Sequence, residues 1–468
     1  MHPDPMNVLP NLYHLTVDPT GMKRDFPDDM DDESDGRNVY AVAPSLAQHK
    51  INEPGNADYT ALWDLTQKLC KEWTRDDGAI GCRNIVAAMY FAAKFMTPGL
   101  RDPVEVMRAF PRNEAWFEYE NRFLGFYIKE IVEGKKLRLS SLGKQALKSV
   151  GEVKFSVLLD SQTPKDWAKM INKDCSDATM EMIPEIANEE LLADEQLECY
   201  LMAAEYVKVI WSKLFLLDKT EKDADFIGYI NGKKEVEGKC QMMKNNVKRY
   251  ALFTGEHCWG VFLPTLKANI QVLAVLPKKR EVQAEEGEET PIKKSSDEIA
   301  ERGQDVLVAA KTQHDVIVEI PRMELKMKPT SIIDICAKVF PAPMFEDTMG
   351  LTESYNEVTG GWRSRHPLKI GSIDHATYIM MDEMGAKAAA ATGIVGRRAS
   401  LGAAPDPVFP LKLRFDRPYI LYIVDTNRGD APATLFKATV MNSGALKGAP
   451  APEPAAYAAA AAAQQARE

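Results

Sequence analysis

Two adjacent arginines, Arg397-Arg398, followed by Ala399 and Ser400, are the residues of this 468-residue chain that point most directly to chemistry. The chemistry is done to them rather than by them. A guanidinium fits the acidic specificity pocket of a trypsin-like or dibasic-cleaving serine protease, and exposed backbone carrying a basic pair is an easy bond to cut. Two arginines that merely solvate a loop are the plainer alternative. The stretch before them, MDEMGAKAAAATGIVG from Met381 to Gly396, mixes signals: four alanines favour helix, while Gly393 and Gly396 break it. From Ala386 to Pro410 no period of 3.6 persists, and Gly396, Gly402, Pro405, Pro407 and Pro410 interrupt the chain. The spacing predicts a loop of about twenty-five residues between two strand-like runs, and loops of that length inside a compact domain are functional or disordered.

Other groups offer less. His375 has no Ser or Cys nucleophile signature around it. No GxGxxG, Walker, GxSxG or HExxH pattern occurs, and Cys and His are too dispersed for a structural zinc. No catalytic residue, cofactor or metal is expected, and the chain does not read as an enzyme. The acidic run from Asp28 to Asp35 lacks the EF-hand spacing and reads as a solvated tail. A net charge of -10 with scattered basic pairs opposes nucleic-acid binding. Arg101, Arg108 and Arg112 make no dense basic helix for a heparin-like polyanion.

The N-terminal MHPDPMNVLPNLYHL lacks the basic start and apolar run of a secretory signal. The most apolar stretch, Ile85 to Met96, is too short to span a bilayer and carries Lys94. Seven cysteines without a CxxC pair, and no Asn-x-Ser/Thr sequon, suit reduced thiols in a cytosol or nucleus. The expectation is an intracellular, soluble monomer with no membrane partner, and leaderless secretion stays open.

The elements that must position the loop follow from periodicity. Residues 1–55 read as a flexible, acidic, Pro-rich extension, 56–444 as one domain, and 445–468 as a low-complexity Ala/Pro tail, disordered or a lone helix. Leu62, Leu65, Leu69 and Trp73 share one face of a first helix, and Asn84 to Met96 make a second. Thr163 caps a helix that has Pro164 in its first turn. Strand signals dominate later, in RYALFTG, CWGVFLP, IQVLAVLP, HDVIVEIPRMELKM, RPYILYIV and ATLFKATVM. Residues 278–304 read as a charged, exposed insertion ending in a short helix, and 385–410 as the loop. Helices early and strands late predict an α+β architecture on large sheets.

A segment that must be exposed first and become a central strand afterwards would need this loop's composition. Ala386, Ala388, Ala390 and Thr392 would then turn inward, and Lys387, Ala389 and Ala391 would face solvent. Small inward side chains slip between existing strands without overpacking. Here the chain resembles a serpin. DEMGAKAAAAT is similar to the serpin hinge, with Glu383, Gly385 two residues on, and small residues ending at Thr392. His375 in DHATYIM matches the strand leading into the reactive loop. FDRPYILYIVD, with Arg417-Pro418-Tyr419, and TLFKATVMN resemble the two C-terminal strands. Upstream, Ile171-Asn172 with Thr179 and Ile183 keeps the family spacing, as do Trp211, Phe215, Thr220, Phe226 and Met242-Met243. Leu263-Pro264, Leu276-Pro277 and VEIPRMELKM complete the set, which covers residues 57 to 444.

The resemblance implies the serpin fold, with three β-sheets, about nine helices and an exposed reactive-centre loop in a metastable state. It also implies a suicide-substrate mechanism: a target serine protease cleaves the loop, becomes acyl-linked, and is trapped as the loop inserts into the main sheet. The serpin register puts the reactive bond at Ala399-Ser400; a register one shorter gives Arg398-Ala399, favoured by chemistry, and Arg397-Arg398 is the third choice. Glu383 is expected to pair with Arg322. His375, with Trp211, marks the sheet-opening region. The family's Asn partner for that histidine is replaced by Ala203, and its serine stretch by Cys82-Arg83-Asn84, so Asn84 is the expected partner of His375. Ala438 and Ser443 stand where a Gly and a Pro are usual, and the loop is longer on its distal side. These departures keep a second reading open, a non-inhibitory serpin-fold protein used for binding or assembly.

Overall fold

A computed structural model describes residues 39–40, 56–73, 78–96, 106–107, 110, 122–132, 134–149, 153–207, 210–230, 233–235, 238–246, 248–267, 270–279, 289–346, 348–385, 410–426 and 433–465. The reactive-bond candidates Arg397, Arg398, Ala399 and Ser400, the hinge residues Ala386 to Thr392, and the acidic run Asp28 to Asp35 lie outside the described residues.

Nine α-helices occur among the described residues, and five of them frame or flank the site: α1 (Asn56–Glu72), α2 (Cys82–Met96), α3 (Pro164–Ala178), α4 (Pro291–Glu301) and α5 (Pro454–Gln465). In α1 the residues Leu62, Leu65 and Leu69 are buried, as the 3.6-residue period requires. All of α2 is buried except Lys94, so it is a core helix rather than an amphipathic one. Thr163 opens α3 with a reciprocal cap: its Oγ1 accepts from Asp166 N at 3.2 Å while Asp166 Oδ2 accepts from Thr163 N at 3.0 Å. Trp167, Ala168, Ile171 and Cys175 then form the buried face of α3. No described helix is long and apolar enough to cross a membrane.

The strands that position the site are β1 (Gly78–Ile80), β2 (Arg122–Lys129), β3 (Lys154–Leu158), β4 (Cys199–Val207), β5 (Gln313–Pro321), β6 (Met323–Lys326), β7 (Ile370–Met381), β8 (Tyr419–Asp425) and β9 (Ala433–Val440). The strands among the described residues fall into a seven-stranded main sheet, a ten-stranded sheet, a four-stranded sheet and a two-stranded ribbon. The main sheet runs Val39–Tyr40, β3, β2, β4, β7, β6, with Thr330–Ser331 also against β7. At its centre β4 and β7 are parallel neighbours, hydrogen bonded from Cys199↔Ile370 to Val207↔Ile379. The ten-stranded sheet holds β1, β9, β8 and β5. β5 passes through the single residue Arg322 into β6, so one strand run joins the two large sheets.

The core has three parts. One lies between the main sheet and α1 and α2, a second is built on the ten-stranded sheet, and a third packs α3 on the other face of the main sheet through Tyr127, Tyr200 and Met202. Two expectations from the sequence are corrected by this packing. Within 278–304 only 289–304 and Lys278 to Lys279 are described, and α4 there is no exposed appendage: Ser295, Ser296, Glu298 and Ile299 are buried. Glu298 goes inward because its carboxylate accepts from the backbone N–H groups of Glu256 and His257. The Ala-rich tail forms α5, and it is not a lone helix: Ala460 and Ala461 pack on the second core.

Candidate inhibitory site: the hinge root and the sheet gate

β7 ends at Met381, and the next four residues fold into a tight turn. Asp382 N donates to Gly385 O at 2.7 Å and Gly385 N returns a bond to Asp382 O at 3.1 Å. Asp382 Oδ1 also accepts from Met384 N at 2.8 Å and Gly385 N at 3.2 Å. Gly385 has φ of 132, a conformation that side-chain-bearing residues avoid, which is why glycine stands there.

Three carbonyls of this turn bond to one segment, 211–215. Trp211 Nε1 donates to Asp382 O at 2.9 Å, Trp211 N to Met384 O at 2.9 Å, and Phe215 N to Glu383 O at 3.1 Å. The Trp211 and Phe215 rings meet edge to face at 6.3 Å, so the segment is itself rigidly packed.

Glu383 and Arg322 come together, and neither is a surface charge: their side chains are 0% and 7% exposed. Arg322 Nε lies 2.9 Å from both carboxylate oxygens and Nη2 lies 2.6 Å from Oε1, a forked pair. Thr220 Oγ1 donates to the same carboxylate, and Arg322 Nη1 donates to Gln241 Oε1. Thr220 belongs to the recognisable sequence pattern. Gln241 does not, and carries no signal beyond its place before Met242-Met243, while Asp382 opens the hinge-like DEMGAKAAAAT, where nothing in the sequence assigns it a role.

Lower in the main sheet, His375 is buried at 2% exposure. Its Nδ1 lies 2.8 Å from Ala203 O, and its Nε2 accepts from Gly81 N at 3.0 Å. The donor at Gly81 makes Nε2 the bare nitrogen, so the proton sits on Nδ1 and goes to the carbonyl. Asn84 is not the partner of His375; its Nδ2 donates to Ala204 O at 2.9 Å instead. Two backbone groups do the work expected of a side chain, which is why Ala203 can occupy that position. A Cβ at Gly81 would lie 2.1 Å from Glu205 Oε2, so a side chain there would require the buried Glu205 carboxylate to shift. One residue before His375, the buried Asp374 accepts from Tyr200 Oη and, at 3.1 Å, from Ser372 Oγ.

The departures near the C-terminus also have local reasons. Ser443 N donates to Glu235 Oε2 at 2.8 Å and its hydroxyl donates to Oε1, bonds that a proline nitrogen could not make. Ala438 is fully buried between Ala79 of β1 and Leu421 of β8, where its methyl joins the core.

Burial drives the titration of two groups here in opposite senses. It lowers His375 from 6.5 to about 4, partly offset by the bond to Ala203. It raises Asp382 from 3.8 to about 6 against its backbone hydrogen bonds. The fold favours neutral imidazole, so the contribution of His375 is complete above 6.5 and is lost as pH falls towards about 4, up to roughly 3 kcal/mol. Asp382 works the other way: its contribution is present below 3.8 and is lost as pH rises through about 6. The two partly cancel in the overlap. Thermal melts down to about pH 4 should therefore fall more steeply for Asp382→Asn than for the wild type, and less steeply for His375→Gln. Parallel curves for all three would remove both assignments.

A main sheet with adjacent parallel strands at its centre, a pinned turn at the head of one of them, and a buried histidine below define the class of protein. Residues 135–443 match the family model described as Serpin (serine protease inhibitor), and the chain belongs to that family. No curated protein matches it. Its fold is similar to that of Serpin48 from the insect Tenebrio molitor, at 18% identity and TM-score 0.59, covering 84% of this chain and 99% of that one. It is also similar to the thermophilic serpin tengpin in its native state, at 17% identity and TM-score 0.59, covering 86% and 100%. Thyroxine-binding globulin in complex with thyroxine matches at 16% identity and TM-score 0.55, covering 83% and 98%.

Proposed function

We propose that this serpin is a suicide-substrate inhibitor of a serine protease that cleaves after arginine, with Arg398-Ala399 as the cut bond and Ala399-Ser400 or Arg397-Arg398 as the alternatives. The protease serine attacks the Arg398 carbonyl, the bond to the Ala399 nitrogen breaks, and an ester joins protease to loop. The freed arm then enters the main sheet between β4 and β7 and carries the protease with it.

The observation that carries this reading is the parallel pairing of β4 with β7. The chain leaves β7 through the turn at Asp382 to Gly385, so a returning arm would run antiparallel to both strands. One parallel ladder would give way to two antiparallel ones, which pair somewhat better per residue and add a full set of hydrogen bonds. All seven cysteines are free and buried, which suits a reducing compartment as the place of action. The expected partner is the protease alone, met by a monomer.

Mixing the protein with trypsin should give an SDS-resistant adduct near the summed masses, and mass spectrometry of that band should locate the ester. Cleaved serpin with no adduct would defeat the proposal. That result would favour the second reading, a non-inhibitory binding or assembly protein, for which the rebuilt gate at His375 is the specific support. The two readings also part on heat: nicking should raise the melting temperature of an inhibitor sharply and leave that of a non-inserting protein unchanged.

A further inference from the structure

Beyond the residues matched to the family, the chain continues into α5. Tyr457, Ala460, Ala461 and Gln464 recur at helical spacing and are half-buried, while Ala455, Ala458, Ala459 and Ala462 are exposed. Weak intrinsic amphipathicity is thus resolved by docking against a specific partner within the chain.

That partner is the turn 214–217. Tyr457 Oη donates to Phe215 O at 2.8 Å and accepts from Leu217 N at 3.2 Å. Gln464 Oε1 accepts from Leu214 N at 3.0 Å. The other side of the Phe215 backbone is already engaged, since Phe215 N donates to Glu383 O at 3.1 Å. Burial and the negative charge of Glu383 both push the Tyr457 phenol up, which agrees with this proximity. The segment 211–217 is therefore held by the hinge root and by α5, and also directly by the ten-stranded sheet, where Ser212 N donates to Pro264 O at 2.9 Å and Leu216 N to Lys244 O at 3.4 Å.

The anchorage of α5 matters. It follows β9 of the ten-stranded sheet through residues 441–453, which are pinned by Ser443 to Glu235. The segment 211–217 instead follows β4 closely in sequence, and β4 is one of the two strands that must part when an arm enters between them. From this placement we infer that α5 is a clasp in which Tyr457 and Gln464 are positioning residues. They reinforce the direct bonds between the segment after β4 and the ten-stranded sheet and hold it against Glu383 and Met384, so that opening of the main sheet works against the tail. The role in opening rests on the inhibitor reading; the mechanical coupling does not.

Hydrogen exchange followed by mass spectrometry separates the two. In Tyr457→Phe and in Ala461→Glu, amide exchange should rise roughly five- to tenfold both in peptides covering 211–217 and in peptides covering 379–385. Ala459→Lys, on the exposed side, should leave both unchanged. A rise confined to 211–217, or none in either region, would overturn the clasp. The same variants mixed with trypsin should form adduct faster than wild type. Failure of every protein to form adduct would count against the inhibitor reading alone, because the exchange result stands without it.

Discussion

Arg322→Met lowers the stability of the intact protein by about 3–5 kcal/mol, the cost of leaving a buried carboxylate without its counter-charge. Glu383 is 0% exposed and cannot turn to water, and Thr220 gives it a single neutral donor in exchange for a forked guanidinium. The effect is large because burial removes the alternative of solvation, while an exposed pair would contribute under about 1 kcal/mol. The double variant Arg322→Met with Glu383→Leu should recover most of the loss, since an apolar pair of similar volume has no charge to desolvate. Urea unfolding of the four proteins in the cycle measures this, with the slope against denaturant checked for constancy. A loss below about 1 kcal/mol for Arg322→Met would mean that the pair acts as a surface contact. The same variant should weaken the hinge root, because Glu383 also presents the carbonyl that Phe215 holds.

How far the sequence discloses the fold depends on what kind of group does the positioning. Side-chain patterns are legible. The leucines of α1, the Thr163 cap and the strand runs rest on side-chain type and spacing, the Glu383–Arg322 pair rests on the serpin resemblance, and all form as expected. Backbone groups are not legible. His375 is satisfied by Ala203 O and Gly81 N, and no residue type advertises a free carbonyl or amide, so Asn84 looks like the natural partner and is not. Packing against a distant surface is equally hidden. The charge of α4 suggests solvent, but Glu298 is drawn inward by two amides far away in the chain. In α5 an alanine run reads as low complexity, and only Tyr457 and Gln464, spaced to share a face, hint at a docked helix. The proposed bait at Arg397-Arg398 rests on charge and loop composition alone and lies outside the described residues.

Ala390→Asp should turn the protein from a trap into a substrate, while Ala389→Asp should not. The alternation of a strand puts Ala390 on the inward side of the inserting arm and Ala389 on the solvent side. An inward aspartate must leave water between β4 and β7, whose buried side chains in the core under α2 include Leu201, Ala203 and Ile373. If about 3 kcal/mol of that cost appears in the barrier, insertion slows by roughly 100-fold. The acyl ester is then hydrolysed before the protease is distorted, and trypsin should consume many molecules of Ala390→Asp without forming adduct. Ala389→Asp keeps its carboxylate wet, so its adduct should form at nearly the wild-type rate. Equal behaviour of the two variants would show that the arm does not enter as a strand in this register. The comparison is demanding because the substitutions are chemically identical and adjacent, and only the period of two distinguishes them.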